Sequence, residues 1–254
     1  MLRIEREPPH LIATIDRPQR LNALDLESFR QIEALVDRVN ADTQIRAVII
    51  AAEGERAFSA GADINDLSGI SPDEMSARAT WRRGVLQKLS EMDVPSVAVV
   101  DGLAMGGGVE LAMACTFRLA TSRASFSMPE INLGLLPGAG ATQRLPRIVG
   151  TARALEMMLT ARRIGAEEAL AFGLINRIVT DPLAEARALA AEWTRFSRSA
   201  LRGILRATRA ATDLPIHEGL ALEGAELATL NTSPDGLEGV AAFLQKRPPH
   251  FNKG

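Results

Sequence analysis

Three short apolar runs, at residues 11–15, 47–51 and 96–100, are rich in β-branched side chains and bounded by turn formers, which predicts strands. Between the first two, Phe29, Ile32, Leu35, Val36 and Val39 recur at the spacing of an amphipathic helix over residues 26–40. Ser71-Pro72-Asp73-Glu74 announces a second helix running to about Met92. Ser71 can cap it, Pro72 suits its first position, and Glu74 completes a capping box. Beyond about Thr151 strand-like runs nearly vanish. Gly173 is expected to end a helix begun near Ala166, and residues 175–179 form the last strand-like run. Segments rich in Ala, Leu, Glu and Arg then predict helix over roughly 183–212 and 216–231. A final helix starts at Ser233-Pro234-Asp235 and stops before Pro248-Pro249. The pattern predicts an α/β body over residues 1–195 and a helical region over residues 196–254, with no fixed-period sequence repeat.

The length of 254 residues allows one large domain with a sizeable core, so neither disulfides nor a structural metal are needed for stability. Lys and Arg number 29 against 31 for Asp and Glu, a balance that does not draw nucleic acid or anionic membrane to the whole surface. Cys115, the one cysteine, cannot form an internal disulfide and sits in an apolar stretch that predicts a buried, inert thiol. The opening residues mix charges and lack the apolar core of a signal peptide. No apolar run approaches the ~18 residues of a membrane span. A cytoplasmic protein, or the mature form of an imported one, is expected.

Candidate chemistry concentrates where a strand leads into three consecutive glycines, Gly106-Gly107-Gly108, and then an apolar run holding Glu110. Such a loop lets backbone approach a ligand closely, and where it opens a helix its unpaired N–H groups form an anion site. A nucleotide phosphate would want GxGxxG or GxxxxGK[ST] spacing, and neither fits. The remaining anion is an oxyanion developing on a carbonyl during reaction. A tight strand-to-helix turn explains the glycines equally well taken alone. Residues 58–64 form a second small-residue element, in which Asp63 reads as a cap for the turn that follows. Glu130, among apolar residues and turn formers, reads by itself as a solvated loop charge. The alternative is an acid–base group raised by an apolar site. His10, His217 and His250 are scattered, and no metal-ligand cluster is visible.

Together these elements resemble the crotonase superfamily, the enoyl-CoA hydratase/isomerase family. Asp16-Arg17-Pro18 with Leu21-Asn22-Ala23-Leu24 looks like the family's amino-terminal element. The stretch from Ala57 to Ile64, and that from Asp101-Gly102 to Glu110, look like its two oxyanion segments. Pro129-Glu130 and the run Leu136-Pro137-Gly138-Ala139-Gly140-Ala141-Thr142-Gln143-Arg144-Leu145 match the next block, and Phe243 to Arg247 resemble the closing helix.

The resemblance implies a spiral of repeated ββα units with a carboxyl-terminal helical region. It also implies hydration of a 2-enoyl-CoA thioester. The backbone N–H groups of Ala62 and Gly107 would form the oxyanion hole, and Glu110 and Glu130, twenty positions apart, would be the acid–base pair. Residues 60–65 (Ala60, Ala62, Asp63, Ile64 and Asn65 among them) would bind coenzyme A, with Gly107 and Gly138 also lining the site. No cofactor is implied beyond the coenzyme A carried by the substrate. A homotrimer or homohexamer is implied, in which Phe243 and Lys246 approach the coenzyme A of a neighbouring subunit. An enoyl-CoA isomerase, using Glu130 alone, is the nearest rival, with decarboxylases and thioester hydrolases further off. An RNA-binding protein on this fold would draw on Arg198, Arg202, Arg206 and Arg209, which share a helix face, although a solvated face explains them more simply.

Overall fold

The apolar runs become β2 (His10–Ile15), β3 (Ala47–Ala52) and β5 (Ser96–Val100) in the computed structural model, which describes residues 1–67 and 69–251. They are neighbours in a six-stranded sheet of order β1-β2-β3-β5-β7-β10, completed by Leu2–Glu7 (β1), Phe117–Ala120 (β7) and Arg177–Ile178 (β10). Every pairing in it is parallel except β1 with β2. Parallel sheets are covered on both faces, so their strands read as unbroken apolar runs. On β3, Val48 and Ile50 join the main core, while Ala47, Ile49 and Ala51 face Ala186 and Ala190 across the sheet.

A smaller sheet, of order β4-β6-β8-β9, is built from Ala57–Ser59, Leu103–Met105, Ser125–Ser127 and Ile164–Gly165. The chain visits the two sheets in turn: β3 then β4, β5 then β6, β7 then β8. Each visit is followed by helix. After β4 come a 3-10 turn, Ile64–Leu67, and α2 (Pro72–Ser90). After β6 comes α3 (Gly107–Ala114), and after β8 a 3-10 turn, Glu130–Leu133, and α4 (Ala141–Val149). This is the expected ββα spiral, a repeat of structure without a repeat of sequence.

Helix α1 (Leu26–Ala41) starts where Asp25 accepts the Ser28 N–H at 2.8 Å, and its spaced apolar residues are all buried. Ser71 caps α2 through the Glu74 N–H at 3.2 Å. The reciprocal half of the expected capping box gives way to a pairing of the Glu74 carboxylate with Arg78, one turn on.

Helices α5 (Thr151–Thr160) and α6 (Ala166–Ala171) follow, and Gly173 turns the chain at φ 78°. The helix expected over 183–212 is broken into α7 (Pro182–Trp193) and α8 (Arg198–Ala210). Ser197 is the cause: its hydroxyl accepts the Ala200 N–H at 3.3 Å and opens a new helix. Helix α7 lies on the large sheet through Ala186 and Ala190, whereas α8 packs with α9 (Ile216–Asn231) and α9 with α10 (Pro234–Leu244). No residue of α9 is buried, and Ile216, Leu220 and Leu227 stand exposed on it. Among the described residues no helix is long and apolar enough to cross a membrane.

Candidate active site

Strand β6 ends at Met105, and Gly106 turns the chain into α3 with φ 45° while its N–H donates to the Ser127 carbonyl at 2.9 Å. That φ favours glycine, and a Cβ there would stand 2.5 Å from Oε1 of Glu130 and displace it. At the next position a Cβ would stand 3.1 Å from the Ala62 nitrogen, so the first residue of α3 lies against the loop leaving β4. That loop is pinned by a parallel bridge to Leu24: the Gly61 carbonyl accepts the Leu24 N–H at 2.7 Å, and the Asp63 N–H donates to the Leu24 carbonyl at 3.0 Å. The bridge does not use the Ala62 N–H. It stands beside the N–H of Gly107, one of the first-turn groups that a helix leaves without an internal partner. The backbone nitrogens of Ala62 and Gly107 are therefore neighbours.

Beside them sit the two glutamates. Glu110, in the first turn of α3, is only 3% exposed, and its Oε1 accepts the N–H groups of Ala139 at 2.8 Å and Ala141 at 2.9 Å. Burial pushes its pKa up, against the pull of those N–H groups and of the Arg144 guanidinium. Glu130 opens the 3-10 turn after β8 with its Oε1 over Gly106, and its Oε2 is buried without a partner among the described residues. Burial, with the Glu110 charge adding to it, raises Glu130 to about 7. Glu130 is thus no solvated loop charge: the fold carries it onto the glycine turn. Among the described residues one carboxylate is held by donors and a cation, and the other has neither beyond its own backbone amide.

The 60–65 segment runs out from the paired donors toward solvent. The Ala60 N–H donates to the Leu21 carbonyl at 2.9 Å. Asp63 accepts from the Asn65 backbone at 3.2 Å and its amide at 2.9 Å, the turn-capping role expected of it. Burial opposes its ionisation, but those bonds and Arg17 outweigh burial and hold its carboxyl below the ordinary range. Ile64, 65% exposed, and Asn65 face outward. Gly138 is exposed, and its carbonyl accepts from Arg83 on α2 at 3.3 Å. Phe243 and Lys246 are exposed at the end of α10, on the helical pair formed with α9.

Several supports were not singled out from sequence. Arg17 bridges Asp25 at 3.1 Å and Asp63 at 3.2 Å, tying the start of α1 to the 60–65 segment. The buried Asn22 amide donates to the Glu53 carbonyl at 3.0 Å and the Ala57 carbonyl at 2.7 Å, clamping the chain on either side of the turn before β4. Arg144 donates to the Ala139 carbonyl at 3.1 Å, behind the turn that holds Glu110. Such ties leave no local signal, although Arg17, Asn22 and Arg144 all fall inside the quoted motifs.

Cys115 is buried, and its thiol is pushed up to about 12 by burial. Among the described residues no group of three His, Cys, Asp or Glu could hold a metal ion. Three of the four arginines in the α8 stripe make internal ties, while Arg202 is exposed: Arg198 donates to the Val39 carbonyl at 3.1 Å, Arg209 to the Met92 carbonyl at 3.2 Å, and Arg206 pairs with Glu226 at 2.8 Å.

Comparison with known proteins gives one answer. Residues 11–254 match the family described as Enoyl-CoA hydratase/isomerase. A probable enoyl-CoA hydratase of Mycobacterium tuberculosis is 39% identical over 98% of this chain and 96% of its own length. A crotonyl-CoA hydratase of Syntrophomonas wolfei is 35% identical, again over 98% and 96%. The crystal structure of an enoyl-CoA hydratase from Bacillus anthracis superposes with a TM-score of 0.93 at 32% identity, over 100% of this chain and 99% of that one. With the ββα spiral, the paired backbone donors and the two unequal carboxylates beside them, these matches show that the chain belongs to the enoyl-CoA hydratase/isomerase family, the crotonase superfamily.

Proposed function

We propose that the protein is an enoyl-CoA hydratase that adds water reversibly across the C2=C3 bond of a 2-enoyl-CoA thioester, with Glu110 and Glu130 as its acid–base pair. The observation that carries this reading is the inequality of the two carboxylates at one pair of backbone donors. Polarising the thioester carbonyl makes C3 electrophilic. The N–H groups of Ala62 and Gly107 stabilise the enolate-like transition state more than the substrate, which is what accelerates the step. Glu110 uses one oxygen to accept from Ala139 and Ala141 and, in its ionised form, keeps the other for water. As the water oxygen bonds to C3, its proton passes to Glu110. Glu130, raised to about 7 and so protonated below neutrality, delivers its proton to C2. Transfer of the acquired proton from Glu110 back to Glu130 restores the pair, and the balanced reaction calls for no further cofactor.

Residues 60–65 offer the exposed edge along which coenzyme A would lie. Trimeric or hexameric assembly, with Phe243 and Lys246 reaching a neighbour's coenzyme A, is part of the proposal. Its support is the apolar surface that α9 and α10 leave uncovered in one chain, including Leu237, Val240 and Phe243.

A panel of 2-enoyl-CoA thioesters of increasing length, followed by loss of the conjugated absorbance, tests the reading. Glu110→Gln and Glu130→Gln should each lower hydration by ~10²–10⁴-fold with thioester binding retained. Absence of hydration across the panel, or near-normal hydration by Glu110→Gln, would overturn it. Loss of hydration with isomerisation preserved would favour the isomerase.

A further inference from the structure

Glu110 depends on a turn that is itself held from behind. Its Oε1 takes the N–H groups of Ala139 and Ala141, at the entrance to α4. On the far side of that turn lies the guanidinium of Arg144. Its Nη1 donates to the Ala139 carbonyl at 3.1 Å, and its Nη2 donates to Oε1 of Gln87 on α2 at 2.8 Å. Gln87 is fixed in turn by donating to Glu91 at 2.6 Å. Gly140 makes room for this arrangement: at φ 115°, a Cβ there would stand 2.3 Å from Nη1 of Arg144. A chain of hydrogen bonds thus links the Glu110 carboxylate through the turn to the guanidinium and on to a separate helix.

We propose that Arg144 is the positioning residue for Glu110, fixing both where its carboxylate sits and which of the two glutamates carries the proton. The inference deepens the two-carboxylate reading above and rests on it. The charged groups acting on Glu110 and its cation come from three directions. Arg144 stands on α4, Glu130 on the 3-10 turn after β8, and Arg82 on α2, while Glu91 also acts on Arg144. Arg82 is already paired with Asp66 at 3.3 Å and lies over the Phe29 ring, so it cannot answer to Glu110 alone. Arg144 is the cation fastened to the turn itself. A carboxylate as buried as Glu110 would take up a proton unless a nearby positive charge and donors favoured its ionised form. Among the described residues no cation acts on Glu130, whose Oε2 is buried without a partner, so the donors and Arg144 favour the ionised form at Glu110 over Glu130. That is the division of protons that hydration requires.

The test compares kcat, KM and the pH profile of kcat/KM for the full-length wild type, Arg144→Met, Arg144→Lys and Gln87→Ala, with Glu110→Gln in parallel. Loss of the charge should move the acid limb of the Arg144→Met profile upward by about one pH unit. Its kcat should fall about tenfold or more while KM for the thioester changes little. Arg144→Lys keeps the charge but cannot span Ala139 and Gln87 with a planar fork, so its acid limb should stay near that of wild type with an intermediate kcat. Gln87→Ala frees the guanidinium without touching the turn and should move the limb the same way by less. It and Arg144→Lys decide the matter if Arg144→Met does not fold. A lowered kcat with an unmoved acid limb would reduce Arg144 to a structural support and overturn the inference. So would an Arg144→Lys shift as large as that of Arg144→Met. If Glu110→Gln retained normal hydration, the two-carboxylate reading itself would fall, a result distinguishable from either.

Discussion

Replacing Glu130 with glutamine should abolish most activity and at the same time stabilise the fold, by an amount that depends on pH. Burial, reinforced by the Glu110 charge, lifts Glu130 from 4.5 to about 7. In the folded protein the protonated form is therefore favoured. The stability this group contributes is fully present below its unfolded pKa and is lost as pH rises through the folded one. Between those values the unfolded chain ionises while the folded one does not, and the penalty grows. Above about 7 it is complete.

The displacement corresponds to about 3 kcal/mol at ~1.4 kcal/mol per pH unit, an upper bound. Glu130 is only partly buried, and solvent screening reduces the penalty to about 1–2 kcal/mol. Glutamine keeps the shape and removes the ionisation. In a chain of this size each kcal/mol moves the melting temperature by about 2–4 °C, so a gain of about 2–8 °C is expected at pH 8 and little at pH 5. Thermal melts of the two proteins at both pH values, at one fixed protein concentration, check it. Equal melting temperatures at pH 8, or the same gain at pH 5, would show that Glu130 carries no ionisation penalty, and the inequality of the carboxylates would lose its basis.

Other outcomes follow from the same geometry. Ala62→Pro deletes one of the paired donors and should cost on the order of 3 kcal/mol of transition-state stabilisation, whereas Ala62→Ser keeps the N–H and should be mild; equal damage in steady-state kinetics would mean a steric fault. If Lys246 binds a neighbour's coenzyme A phosphates, Lys246→Ala should raise KM for full thioesters and leave short pantetheine analogues unaffected; an unchanged KM would leave it only a helix-end charge, worth ~0.3–1 kcal/mol. Cys115, buried with its thiol pushed up to about 12, should resist alkylation in the native protein and react once the chain unfolds, and rapid labelling of native protein would contradict its packing.

The structure also explains which features were legible beforehand. Strands β2, β3 and β5 showed in the sequence as unbroken apolar runs of five or six residues, and helix α1 because it is long enough for its apolar spacing to repeat. Strands β4, β6 and β8 did not, because three residues each give a period nothing to recur in. Their pairing makes them strands: β6 lies between β4 and β8, parallel to both. The charged opening LRIERE was read only for what it lacks. It is an antiparallel edge strand, with Leu2 turned inward and Arg3 paired outward to Glu5, Glu53 and Asp16. Edge strands tolerate such charge because one side of the ladder is open to water.

The same distinction between local and long-range causes governs the active site. The glycines announced a close backbone approach, since backbone freedom is a property of the residue itself. Glu130 looked like a loop charge because its chemistry is set by groups far away in sequence. Its Oε1 rests on Gly106, and Glu110 raises its pKa, yet both lie twenty or more positions upstream. Glu110 in turn is held by Ala139 and Ala141, about thirty positions downstream, through N–H groups that every such residue possesses. Side-chain identity therefore names the candidates for acid and base, but it cannot say which is which. In the proposed mechanism that assignment rests on the spiral, which lays the β6–α3 turn, the turn after β8 and the entrance to α4 against one another. A variant that keeps both glutamates but loosens the 139–141 turn should consequently lose hydration without losing a carboxylate, by about tenfold or more for Arg144→Met and so by less than removal of either glutamate.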